Sequence, residues 1–191
     1  MARVMLIGDS IRMSYEPRVK EALGAEGHEV WGAPGNSQFA LFTLASLGGW
    51  LGLFPDPDVV HWNNGLHDIG HNPNRAPMQM PLDVYAGNLR FIGRMLLTTG
   101  ARVLFASSTP VHPDRPFRED QWSWRNEEID AYNEAARGVM AELGIQINEL
   151  HAVVAADVDR LLSEDQLHLS EDGQAACAAA VCQSVKEQLS A

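Results

Sequence analysis

Cysteine is scarce: the 191 residues hold two, Cys177 and Cys182. Five positions apart in one Ala-rich segment, they fall on different faces of a helix, so no bridge between them is expected. That excludes a disulfide framework, and no Cys-x-x-Cys metal pattern occurs. No stretch of about 20 apolar residues exists, which excludes a membrane-spanning helix. Basic residues are in deficit, with 14 Lys plus Arg against 25 Asp plus Glu and a formal net charge of −11. An acidic surface repels phosphate backbones and anionic lipid heads. Nucleic acid and membrane surfaces are therefore not expected partners, whereas a small neutral substrate fits. Internal repeats and low-complexity tracts are lacking, and so is the Gly-x-Ser-x-Gly elbow of ordinary α/β-hydrolases. The apolar run Val4–Ile7 is too short for a signal-peptide core and leads into Gly8-Asp9-Ser10, not a cleavage site, so the cytoplasm is the expected location.

What is present is enough to bury a core without a metal or disulfide staple, since 46% of the residues are hydrophobic. The length suits one domain, 1–191. Short apolar runs alternate with helical patterns. Val4–Ile7, His28–Trp31, Val59–Trp62, Val103–Ala106 and Ile145–Ile147 read as strands. Helical patterns cover Pro17–Leu23, Gln38–Leu47, Leu82–Thr98, Glu127–Leu143, 149–162 and 171–189. Gly24, Gly48-Gly49, Gly100 and Gly144 serve as stops, and Pro17 suits a first helical turn. Asn63–Pro81 is too rich in Asn, Pro and Gly for regular structure. Such alternation predicts an α/β protein with a parallel sheet covered by helices on both faces. The reactive edge of such a sheet lies beyond the carboxyl ends of its strands, which directs attention to the loops that follow them.

Two of the segments so placed carry chemistry. Ser10 follows the first strand on a tight strand-to-helix turn. There, backbone N–H groups and the positive helix end favour a developing oxyanion. Asp9 or Ser10 also suits a plain helix cap. Near the other end, Asp165 and His168 are three residues apart on a short turn. Asp165 can hold the imidazole through Nδ1 and leave Nε2 for a serine. The bland alternative is a solvated loop whose Ser170 caps the last helix. His61, His67, Asp68 and His71 raise a metal reading, but His61 lies in a strand pattern and the others in a loop, so structural roles are expected and no metal. Asp9 reads as a buried carboxylate bonding loop N–H groups. Trp122 and Trp124, in the polar loop Ser107–Trp124, suit a sugar face or an acyl chain, or else anchor the loop. Arg115, Arg118 and Arg125 suit a substrate anion or plain solvation.

Gly8-Asp9-Ser10 and Asp165-xx-His168 resemble the first and last blocks of the SGNH (GDSL) hydrolase family. Gly35-Asn36-Ser37 after the second strand and Asn63-Asn64-Gly65-Leu66-His67-Asp68 after the third match its middle blocks. Ser107-Ser108-Thr109-Pro110 and Tyr132-Asn133 are also similar to the family. The resemblance spans nearly the whole chain. It implies a three-layer α/β/α sandwich with a five-stranded parallel sheet, flavodoxin-like, and a serine esterase that needs no cofactor. Ser10 would be nucleophile, His168 general base and Asp165 its orienting carboxylate. The oxyanion hole would combine the Ser10 and Gly35 N–H groups with a side chain of the third block. That block departs from the family, since His67 stands where Asn is usual. A neutral imidazole still donates one N–H, and Asn64 and Asn36 are the rival donors. The expected substrate is a short-acyl ester, first an acetyl group on a carbohydrate, with thioester or lysophospholipid as runner-up. A non-catalytic binding module on the same fold is the alternative from another class.

Overall fold

A computed structural model describes residues 1–190. Five strands, β1 (Arg3–Ile7), β2 (Glu29–Gly32), β3 (Val59–Trp62), β4 (Arg102–Ala106) and β5 (Gln146–Asn148), form one sheet in the order β2-β1-β3-β4-β5. Every pairing is parallel. The core strands are buried along almost their whole length, as their unbroken apolar runs require, while the edge strands β2 and β5 are partly exposed. Trp62 and Phe105 are register partners on β3 and β4, and their rings meet edge to face at 4.9 Å. Each such fully buried large side chain contributes about 1.5–3 kcal/mol.

The described residues form eight helices, α1 (Ser10–Ala25), α2 (Ala40–Leu53), α3 (Leu66–Ile69), α4 (Leu82–Leu97), α5 (Asn126–Leu143), α6 (Leu150–Ala155), α7 (Val158–Leu161) and α8 (Glu171–Ser190), and the longer ones cover the two faces. One layer is built on α1 against α8, with α6 and α7 beside α8; the other runs α2, α4, α5. This is the expected sandwich, and its strand order reverses between β1 and β3. Chains leaving those two strands diverge there and open a crevice at the carboxyl edge. The loops carrying Ser10 and His67 border it.

Four elements depart from the sequence reading. α1 extends the Pro17–Leu23 helical core back to Ser10, with the Asp9 cap that the sequence offered: Asp9 Oδ1 accepts the Ile11 N–H at 2.9 Å. α2 runs through Gly48-Gly49 to Leu53, held by burial of Leu47 and Trp50. The region 149–162 is two short helices instead of one. Within 63–81 lies the single turn α3, whose Leu66 carbonyl accepts the Trp124 Nε1–H at 2.7 Å. Gly65 lets this turn approach the loop after β4, since a Cβ there would lie 1.8 Å from Ser108 Oγ and 3.1 Å from its Cβ, so the hydroxyl would have to rotate away.

Candidate active site

Ser10 opens α1. The Ile11 N–H is taken by the Asp9 side chain and the Met13 N–H by the Asp9 carbonyl. The Ser10 N–H donates to no protein acceptor among the described residues, and neither does that of Gly35. The Ser10 N–H is thus free at the start of α1, where the peptide dipoles favour negative charge, and the Gly35 N–H is free on the loop after β2. Gly35 has φ +67°, a conformation that a side chain would strain. The two loops are stitched together: Ser37 N–H donates to the Gly8 carbonyl at 3.0 Å, and Gly8 N–H to Ser37 Oγ at 3.2 Å.

The chain's distant second block meets this turn. His168 Nε2 lies 3.0 Å from Ser10 Oγ, and His168 Nδ1 lies 2.6 Å from Asp165 Oδ2. Asp165 has a second task through Oδ1, which accepts the N–H groups of Leu167 and His168 and the Ser163 hydroxyl at 2.8–2.9 Å. Those bonds form the turn that presents the imidazole, and Gln166 takes φ +63° within it. Burial alone would raise the Asp165 carboxyl. The bonds from His168, Leu167 and Ser163 outweigh it and hold the group well below the usual carboxylate range. The His168 and Asp165 side chains are 42% and 52% exposed, so their attraction is largely screened and the pair orients more than it stabilises. Ser170 does cap α8 through the Gly173 N–H, so cap and candidate site coexist on one loop.

His67 stands in α3 with its ring edge-on to Trp122 at 4.8 Å and its Nε2 3.4 Å from Asn36 Nδ2. Asn36 Oδ1 accepts the Gln38 N–H at 2.7 Å, which turns the Asn36 amino group toward His67. Burial, with the Arg75 and His168 charges, pushes His67 down to about 4, so the ring is neutral at pH 7 with one N–H to give. Asn64 is corrected as a donor candidate. It is fully buried, and its amide hydrogens go to the Gln38 carbonyl at 3.0 Å and Thr43 Oγ1 at 2.9 Å. Trp124 is corrected as a substrate contact, because it is buried and its N–H anchors the loop to Leu66. Trp122 is half-buried against His67.

The remaining histidines have separate partners. His61, buried in β3, faces Asn148 Nδ2 at 3.1 Å and is pushed by burial down to about 4. His71 lies 2.9 Å from both carboxylate oxygens of Glu128. Arg115 donates to the Asp165 carbonyl at 3.2 Å, and Arg125 lies over the Phe117 ring.

Three contributions were missed from sequence. Asp68 caps α2 from a different loop, both its oxygens accepting the Ala40 N–H at 3.0–3.1 Å. The sequence signal was the helix's own uncapped start, at Phe39. Asn133 pins the loop after β4 through the Ser108 N–H and carbonyl. Gly173 lets α8 approach α7, since a Cβ there would sit 2.0 Å from the Leu161 carbonyl oxygen.

A serine, an imidazole and a carboxylate in sequence at the carboxyl edge of a parallel sheet define a hydrolase-type constellation. Residues 7–176 match the model of the GDSL-like lipase/acylhydrolase family, and the chain belongs to that family. It is therefore an acylhydrolase-family enzyme whose substrates are esters. Among solved structures, an acetyl xylan esterase superposes with TM-score 0.79 at 19% identity, covering 96% of this chain and 99% of that one. A lipase/acylhydrolase from Enterococcus faecalis gives 0.78 at 20%, over 98% and 97%. An acetylxylan esterase from Geobacillus stearothermophilus gives 0.79 at 16%, over 96% and 94%. At these identities the likeness establishes the fold. A search of curated proteins finds no match. No helix among the described residues is long and apolar enough to cross a membrane.

Proposed function

We propose that this chain, acting as one domain over 1–191, is a serine esterase that works through an acyl-enzyme on short-acyl esters, acetyl esters of carbohydrates foremost. The observation that carries the reading is the contact of Ser10 Oγ with His168 Nε2 at 3.0 Å, backed by Asp165 at 2.6 Å. Ser10 Oγ attacks the ester carbonyl while His168 Nε2 takes its proton. Asp165 keeps the other ring proton on Nδ1 and stabilises the imidazolium. The Ser10 and Gly35 N–H groups receive the oxyanion, joined by a side-chain N–H from His67 or its partner Asn36. His168 returns its proton to the leaving alcohol, then activates water to release the acid. No cofactor enters the scheme. The acetyl and carbohydrate preference is supported by the acetyl xylan esterases among the similar folds, and Trp122 is the ring available to a sugar face.

A fluorophosphonate probe together with p-nitrophenyl esters of increasing chain length tests this. Wild type should be labelled once and should turn over the acetyl ester fastest, and Ser10→Ala should lose both properties. An unlabelled, inactive wild type would sink the esterase reading in favour of a binding module. Fastest turnover of long-chain or thioesters would redirect the substrate class.

A further inference from the structure

A buried arginine lies directly beneath the two loops that supply the proposed backbone donors. Arg12 is 3% exposed, in the first turn of α1. Its Nη2 shares two N–H groups among three carbonyl oxygens: Gly8 at 3.2 Å, Ala33 at 3.0 Å and Gly35 at 2.5 Å. Nη1 pairs with Glu16, which Lys20 also holds at 2.6 Å. α1 packs closely on the turn that precedes it, since a Cβ on Gly8 would lie 2.6 Å from Arg12 Cβ.

Burying a guanidinium costs free energy that its hydrogen bonds must offset. A helix packing against a sheet has no need of one. The three carbonyls it binds are specific to the site. Gly8 begins the turn that carries Ser10. Ala33 and Gly35 flank the Pro34–Gly35 peptide, which holds the Gly35 N–H. One nitrogen atom therefore sets the spacing between the nucleophile's turn and the second backbone donor. We propose that Arg12, oriented by Glu16, is a positioning residue that fixes the oxyanion geometry. This rests on the esterase reading above. A misplaced donor weakens binding of the oxyanion more than binding of the ground-state ester, because an oxyanion-hole contact strengthens as charge develops.

Arg12→Lys keeps the charge, but its single nitrogen cannot hold Glu16 and the loop carbonyls at once as the planar guanidinium does. The fraction of competent molecules is counted by stoichiometric fluorophosphonate labelling, and kinetics are expressed per labelled site. On p-nitrophenyl acetate, kcat per site should fall about 10-fold or more with KM within about 3-fold. The inhibition constant of a small alkylboronic acid, whose tetrahedral adduct places an oxygen among the oxyanion donors, should rise in proportion. A loss confined to the labelled fraction, with per-site kcat and boronate affinity unchanged, would overturn the proposal and leave Arg12 a structural residue. Should Arg12→Lys fail to fold, Glu16→Gln decides: the same pattern at smaller amplitude supports positioning, and wild-type per-site kcat refutes it. A wild type that takes up no fluorophosphonate refutes the esterase reading instead, so the two failures are distinct.

Discussion

Asp165 and Asp68 each sit beside a histidine of the candidate site, on loops at one edge of the sheet, and each accepts backbone N–H bonds. Asp165 is half-exposed, and bonds from an imidazole, two N–H groups and a hydroxyl outweigh its burial. Asp68 is fully buried, and its bonds to the Ala40 N–H do not offset the loss of water; burial pushes it up to about 7. The balance between desolvation and hydrogen bonding thus separates two carboxylates that each accept backbone N–H bonds. One is kept ionised beside a proton-transfer group. The other holds two loops together and contributes its geometry. The same division runs through the site: the acid–base turn is local and open, while the donor side is cross-linked over long sequence distances by the buried Arg12, Asn64 and Asp68 behind it.

The harshest way to break that comparison removes the atom both halves serve. Ser10→Ala should cost about 10⁶-fold in kcat on a short ester, read from initial rates with the protein's melting temperature unchanged. A residual rate within tenfold of wild type would place the nucleophile elsewhere. Next, Asp165→Asn should cost on the order of 10³–10⁴-fold, because the imidazole loses both its tautomer control and its counter-charge. Asp68→Asn should cost less than about tenfold, since Asn still offers one acceptor to Ala40 and no proton passes through this position. If the two variants lose similar activity, the division of roles between them is wrong.

A third measurement sharpens the donor side. His67→Ala should lower kcat about a hundredfold if its N–H reaches the oxyanion. Burial keeps the ring neutral above about pH 4, so this loss should be constant from pH 6 to 9. Asn36→Ala should cost less, acting by freeing His67. The reverse order of effects would make the Asn36 amino group the donor and His67 its support.

Legibility followed the same local-versus-distant line. The five strands could be read because unbroken apolar runs such as Val59–Trp62 need no partner to declare themselves. The Asp165–His168 turn was readable because its bonds close within six residues. Element ends were harder. Pro17 and Asp9 offered two rival starts for one helix, and the Asp9 cap sets it seven residues before Pro17. Gly48-Gly49 looks like a stop, but burial of Trp50 carries the helix through it. The donor side was least legible. Asn64 is spent on Gln38 and Thr43, and Arg12 reaches Ala33 and Gly35, more than twenty residues away in each case. No periodicity or spacing encodes a contact that only the folded sheet creates.

The smallest effect concerns stability and has a definite sign. Asp68 has a folded pKa of about 7 against an ordinary 3.8. The native state therefore binds a proton more tightly than the unfolded chain does, and between pH 4 and 7 the unfolded state carries fewer protons at this site. Stability from this group is full below about pH 4 and is lost as pH rises through 7. The buried His67 and His61 act oppositely. Their pKa values of about 4 against 6.5 mean that stability is lost as pH falls through that window. A bare stability–pH curve mixes these slopes, whereas the difference between Asp68→Asn and wild type cancels the histidines. That difference should move in favour of the variant by about 2–4 kcal/mol between pH 4.5 and 8, measured by urea unfolding at each pH. A flat difference would mean that Asp68 is ionised at its ordinary pH and that hydrogen bonding, not burial, governs it as it governs Asp165. The contrast between the two carboxylates would then collapse.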